Sequence, residues 1–123
     1  MDVTLPEREY LDFLDRGKFM IQRCRDNGAH VFYPRVAEPR SGSTNLEWVE
    51  ASGLGTVYST TVVRAKPPAQ NYNIVLIDLQ EGVRMMSRVE GIAPEIVRIG
   101  LKVKAKIVRQ DEQPVVIFEP LAD

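Results

Sequence analysis

The sequence predicts a mostly β chain in two unequal parts behind one short helix, and three observations lead there. Residues 46–64 (LEWVEASGLGTVYSTTVVR) hold two runs rich in Val, Thr, Tyr and Trp, separated by Gly53-Leu54-Gly55. Two glycines in three residues open backbone angles closed to other residues, so the chain is expected to change course there. Upstream, the runs are short and broken by two turns of the same shape; downstream, they are longer and apolar. Residues 46–64 therefore form the seam, and the expected division is a helix at 1–17, a turn-rich module at 18–50 and a barrel at 51–123.

A chain of 123 residues fits one domain or two small modules sharing a core. With 44% hydrophobic and 27% charged residues it reads as an ordinary globular protein. Sixteen Lys and Arg against 17 Asp and Glu give a formal charge of -1, so no whole-molecule field draws the chain to nucleic acid or anionic membrane. No run approaches the roughly 18 apolar residues of a spanning helix, and the acidic start Met1-Asp2 does not resemble a signal peptide. A cytosolic location is expected. The single cysteine, Cys24, cannot form an internal disulfide.

The helix is announced by Thr4, Pro6 and Glu7: an N-cap, a proline in the first turn and a glutamate three residues after the cap. It is expected over 6–16, with Gly17 as its left-handed terminator. Tyr10, Leu11, Phe13 and Leu14 gather on one side, to cover either the chain's own core or a partner.

Residues 18–23, 30–35 and 45–51 read as extended, joined by turns at 24–28 and 37–43. Both turns follow one pattern, a position, two residues, a second position and a glycine: Cys24 to Asn27-Gly28 and Glu38 to Ser41-Gly42. In a zinc ribbon all four positions are cysteine, two per knuckle. Here one thiolate and one carboxylate stand where four good donors are needed, and Asn27 and Ser41 are neutral, weak ligands. His30 and Asp26 lie nearby but off the knuckle spacing. Zinc is not expected. Structural zinc contributes on the order of 10 kcal/mol in small fingers, so packing by Phe19, Ile21, Val31, Tyr33, Leu46 and Trp48 has to replace it, with Trp48 as the central contact.

Past the seam, strands are expected over 56–65, 73–79, 83–89, 101–109 and 114–118. The prolines at 67 and 68 force a loop, Gln80-Glu81-Gly82 makes a hairpin turn, and Pro94-Glu95-Ile96-Val97 allows one helical turn. Lys102, Lys104 and Lys106 alternate with apolar residues and face out. Five strands with a short helical turn fit an OB-fold barrel; an SH3-like barrel gives a similar pattern.

Taken together, the helix with Gly17-Lys18-Phe19, the Arg23-Cys24 to Gly28 knuckle, Tyr33-Pro34-Arg35, Pro39 with Gly42-Ser43, Leu46-Glu47-Trp48, Gly55-Thr56-Val57-Tyr58-Ser59 and Arg98-Ile99-Gly100 resemble one family. It is the acyl-CoA-associated zinc-ribbon plus OB-fold family, catalogued as domain of unknown function family 35. The resemblance implies an N-terminal helix, a rubredoxin-like ribbon and an OB-fold. It also implies a non-catalytic companion of a thiolase-like, hydratase or aldolase enzyme acting on acyl-CoA thioesters. The chain departs from the pattern at three of four ribbon cysteines, now Asn27, Glu38 and Ser41.

Under that reading the partner is an acyl-CoA enzyme, and CoA or acyl-CoA is a candidate ligand. Arg64, Lys66, Arg84 and Arg88, with Lys102, Lys104 and Lys106 beside them, are the candidates to meet CoA phosphates. The alternative is a nucleic-acid-binding OB-fold using Tyr58, Tyr72 and Phe118 as stacking surfaces, which the slightly negative charge disfavours. A stand-alone enzyme is not expected. One His and one Cys, six positions apart across a turn, form no catalytic constellation, and Cys24 beside Arg23 and Arg25 reads as a leftover ribbon cysteine. Asp78 reads as strand-end polarity.

Overall fold

The computed structural model describes residues 5–67 and 70–121. Helix α1 (Leu5–Asp15) ends as the sequence requires: Gly17 has φ +79°, the Lys18 N–H donates to Phe13 O at 2.9 Å and the Gly17 N–H to Leu14 O at 2.9 Å. This pair of bonds is a Schellman motif. Thr4, the expected cap, lies outside the described residues. Tyr10 and Leu14 are buried in the chain's own core, so the helix covers its own domain.

Strands β1 (Met20–Cys24), β2 (His30–Val31) and β3 (Leu46–Glu50) form an antiparallel sheet in the order β2-β1-β3. Strand β2 is much shorter than the extended run expected over 30–35. Pro34 has no N–H to give a ladder, and Gln22 takes over the pairing with its side chain. The Gln22 amide donates from Nε2 to Arg35 O at 2.8 Å and accepts at Oε1 from the Arg35 N–H at 2.6 Å. Phe32 and Tyr33 turn toward the helix, where each stacks edge-on against Tyr10. Tyr33, expected in the core, is 41% exposed and donates its hydroxyl to Glu7.

Five strands follow: β4 (Leu54–Val63), β5 (Tyr72–Leu79), β6 (Arg84–Ser87), β7 (Lys102–Gln110) and β8 (Gln113–Pro120), with one 3-10 turn at Pro94–Ile96. Their order is β6-β5-β4-β7-β8. The sheet curls until its two edges meet where Val89 bridges Phe118 in parallel, with Glu90 N–H donating to Phe118 O at 2.8 Å and Phe118 N–H to Arg88 O at 3.0 Å. This is the partly open five-stranded barrel of an OB-fold. Phe118, Ile77, Val75 and Val103 fill it, all fully buried.

Strand β4 begins two residues earlier than expected and ends two earlier, because Asn71 Oδ1 accepts the Ala65 N–H and starts the loop there. At the seam, Gly53 has φ +79° and passes against Ala105, whose N–H donates to Gly53 O at 2.7 Å. Gly55 is a glycine for a different reason. Its φ is ordinary, but a Cβ there would lie 2.6 Å from Ile77 Cγ2 and 3.0 Å from Asp78 O. Trp48 is also not the fully buried centre expected of it. It is half-buried under α1, with Phe13 edge-on at 5.3 Å and its Nε1–H donating to Glu9 at 3.2 Å; the fully buried ribbon side chains are Ile21 and Cys24.

Gly55→Ala should therefore destabilise the fold by about 1–3 kcal/mol, the cost of overpacking a fixed backbone. Urea unfolding measures it, and an unchanged midpoint would contradict the close approach of β4 and β5.

Candidate functional site

The two turns of equal sequence pattern are also equal in geometry. In the first, Cys24 N–H donates to Ala29 O at 2.7 Å and Gly28 N–H to Cys24 O at 2.7 Å; in the second, Glu38 N–H donates to Ser43 O at 2.8 Å and Gly42 N–H to Glu38 O at 2.8 Å. Gly28 and Gly42 have φ of 75° and 73°, which only glycine adopts readily. Cys24 thus corresponds to Glu38, and Asn27 to Ser41. Cys24 is 0% exposed and Glu38 3%.

Four hydrogen bonds tie the first turn to the second and to Asn45 just after it. Asn27 Nδ2 donates to Glu38 Oε1 at 2.9 Å, Asn45 Nδ2 and the Ser43 hydroxyl donate to Asp26, and Arg25 N–H donates to Asn45 O at 2.9 Å. The second oxygen of Glu38 accepts the Arg40 N–H. The Arg40 N–H, then the Asn27 amide and Ser41, hold the Glu38 carboxyl below its ordinary value of 4.5, against the opposing effect of desolvation. Asp26 is held below 3.8 by Ser43 and Asn45. Glu47 is held below 4.5 chiefly by Arg23, with Arg25 adding to it.

The basic residues singled out in the barrel do not converge. Arg64 and Lys66 follow the end of β4, near the Tyr72 end of β5, whereas Arg84 pairs with Asp78 at the other end, about 20 Å away along the strand. Arg84 is held on two sides, by Asp78 at 2.6 Å and by the Tyr58 ring, whose centroid is 3.5 Å from its guanidinium carbon. Tyr58 reaches it because it is the extra residue of a bulge: Val57 pairs with Ile77 and Ser59 with Leu76. Arg88 is bound to Glu90 and Gln110. Arg64 lies 3.9 Å from Glu95 and stays largely exposed. On β7, Lys102 donates to Thr56 and Lys106 lies 3.8 Å from Glu119.

Of the three expected stacking rings Phe118 is fully buried, Tyr58 has Arg84 over one face, and Tyr72 carries no such cover. The nucleic-acid reading thereby loses one of its three rings outright and shares a second with Arg84. Sequence reasoning missed an exposed apolar face instead. Tyr72, Ile74 and Met86 are 47%, 40% and 68% exposed on adjoining strands, and they line a groove with Val115 and Ile117. A second groove, of about 530 Å³, runs on from Met86 past Val115 to Leu11 and Tyr33 of the helical end. The alternation of β5 could have signalled this face, since Tyr72 and Ile74 fall opposite the buried Asn73 and Val75.

Two protein-family models match adjoining stretches of the chain: the rubredoxin-like zinc ribbon domain of ChsH2 over residues 11–47 and the C-terminal OB-fold domain of ChsH2 over 48–108. The chain belongs to the DUF35 family. A "DUF35 domain-containing scaffold protein" of Pyrococcus furiosus is 28% identical over 90% of this chain and 86% of its own length. The "Probable enoyl-CoA hydratase alpha subunit" of Thermomonospora curvata is 35% identical, and the "3-oxo-4,17-pregnadiene-20-carboxyl-CoA hydratase alpha subunit" of Mycobacterium tuberculosis is 33% identical. The chain spans only 34% and 36% of those two subunits. Among solved structures, one described as "Ltp2-ChsH2(DUF35) aldolase" superposes with a TM-score of 0.85 at 28% identity, covering 98% of both chains. A DUF35 protein of Sulfolobus solfataricus shares the fold, with a TM-score of 0.69 at 21% identity.

A DUF35 ribbon implies zinc, and the donor set of this chain does not fit it. Glu38 spends its lone pairs on N–H donors, Asn27 presents an N–H rather than an oxygen toward the site, and Ser41 is a neutral hydroxyl. Among the described residues no three His, Cys, Asp or Glu side chains group as metal ligands. Also among them, no helix is long and apolar enough to cross a membrane.

The depressed carboxyls set a pH dependence. Asp26, Glu38 and Glu47 bind protons less tightly folded than unfolded, so the unfolded chain takes up more protons as pH falls. Their stabilisation is complete above the ordinary glutamate value of 4.5 and is lost as pH drops through the lower folded values. Urea midpoints taken from neutral pH to about pH 3 should decline below that value, and Glu38→Gln should shallow the decline. An identical profile in the variant would remove Glu38 from this role.

Proposed function

We propose that this chain is a non-catalytic accessory subunit that binds a thiolase-like, hydratase or aldolase enzyme of acyl-CoA metabolism. The observation that carries the reading is the whole-chain superposition on the DUF35 chain of an Ltp2-ChsH2 aldolase. Two further observations support it. The same unit occurs as about a third of two hydratase alpha subunits and, nearly alone, as a scaffold protein. Among the side chains with chemistry to offer, Glu38 is engaged by the Asn27 amide and the Arg40 N–H, and Asp78 and Arg84 by each other, so they hold structure rather than turn over a substrate.

An accessory subunit needs a surface that association would cover, and the Tyr72, Ile74 and Met86 face is an apolar area of that kind. Within this reading, contact with CoA phosphates falls to Arg64 and Lys66, the two of the four basic candidates least tied to acids. Guanidinium and ammonium groups bind phosphate through charge-assisted hydrogen bonds.

The test is a tagged chain recovered from its native lysate at physiological salt. The expected result is a stoichiometric companion identified by mass spectrometry as a thiolase-like, hydratase or aldolase enzyme. Recovery as a lone monomer would overturn the reading.

A further inference from the structure

We propose that the ribbon of this protein is held without metal, by a hydrogen-bonded clasp centred on Glu38. In a four-cysteine ribbon the ion joins two knuckles that would otherwise share few contacts, and backbone amides of each knuckle point at its thiolates. Both knuckles keep that backbone here, down to the paired hydrogen bonds and the left-handed glycines. What has changed is the group the amides and neighbouring side chains address. Glu38 receives the Arg40 N–H from its own knuckle and the Asn27 amide from the other, so one carboxylate spans the gap that zinc spans in a four-cysteine ribbon.

The positions around it fit this exchange. Asn27 uses both ends of its amide, donating to Glu38 and accepting the Ala29 N–H at 2.9 Å, which fixes its orientation. Asp26 makes a second cross-link to Ser43 and Asn45 on the outer side. Cys24, fully buried in the position of a first ligand, serves as a small apolar side chain. A buried carboxylate is tolerated only when its oxygens are satisfied, and the two knuckles supply donors to both. The inference concerns how the ribbon is built, and it stands whether or not the partner reading does.

Three measurements on the full chain test it. Protein refolded with excess zinc and then desalted should carry well under one equivalent by elemental analysis, and a strong chelator should leave Tm unchanged; one tightly held equivalent whose removal lowers Tm would overturn the proposal. Glu38→Ala should lower Tm by several degrees, whereas Glu38→Gln, which keeps an acceptor, should lower it less; a Glu38→Ala protein as stable as the parent would equally overturn it. Finally, the triple variant Asn27→Cys, Glu38→Cys, Ser41→Cys should bind one Co(II) with the absorption bands of a tetrahedral thiolate site. A folded triple variant that binds none would show that the knuckles do not retain the ligand-bearing geometry. Should that variant not fold, the first two measurements decide the matter.

Discussion

At Gly55 the backbone of β4 comes closer to its neighbour than a side chain would permit, two residues past the left-handed turn at Gly53, and both halves of the molecule are fixed from there. Gly55 lies against Ile77 and the Asp78 carbonyl of β5, while Gly53 turns back on Ala105 of β7. The strand that leaves the ribbon sheet is thus locked between two barrel strands within five residues of leaving it. Around this point the hairpin turn after β5 also fastens, with Glu81 accepting the Ser52 N–H and Leu54 O accepting the Gln80 N–H. Helix α1 completes the junction by packing on ribbon and barrel together, with Arg109 of β7 reaching Asp15 at its end.

Much of this was legible in the residues because it is encoded locally. The helix terminator at Gly17, the two knuckles, the β5–β6 hairpin and the alternation of β7 each need only a few neighbours to be read. What escaped depends on partners far away in the chain. Nothing near residue 22 says that a glutamine amide will replace a strand of backbone for Arg35. Nothing near residue 58 announces a bulge that aims Tyr58 at Arg84. Trp48 shows the same limit: its size suggested the core, but its indole N–H needs a partner and finds one at Glu9, which holds the ring at the helix edge.

The candidate site divides along the same line. The four knuckle positions and their loss of zinc donors could be read from spacing and chemistry alone. The way Glu38 and Asn27 face each other could not, because it requires the two turns to be brought side by side by β1, β2 and β3. The basic residues of the barrel were visible as charges. Their dispersal over two ends of β5, with Arg84 and Arg88 held tightly by Asp78 and Glu90, follows only from the register.

The barrel joint is a different kind of structure from the rest of the sheet. Asn73, 2% exposed, meets the Val89 backbone with its own amide, Oδ1 accepting the Val89 N–H at 2.8 Å and Nδ2 donating to Val89 O at 3.3 Å. It stands in for a rung of backbone ladder at the point where the chain leaves β5 to join β8. Ring closure therefore combines this one side chain with the main-chain bonds that join Arg88 and Glu90 to Phe118. An aspartate there, which deamidation would produce, could accept but not donate, and would leave a charge inside a sealed edge. One buried amide thus braces from inside a joint that the main-chain bonds to Phe118 close from the edge.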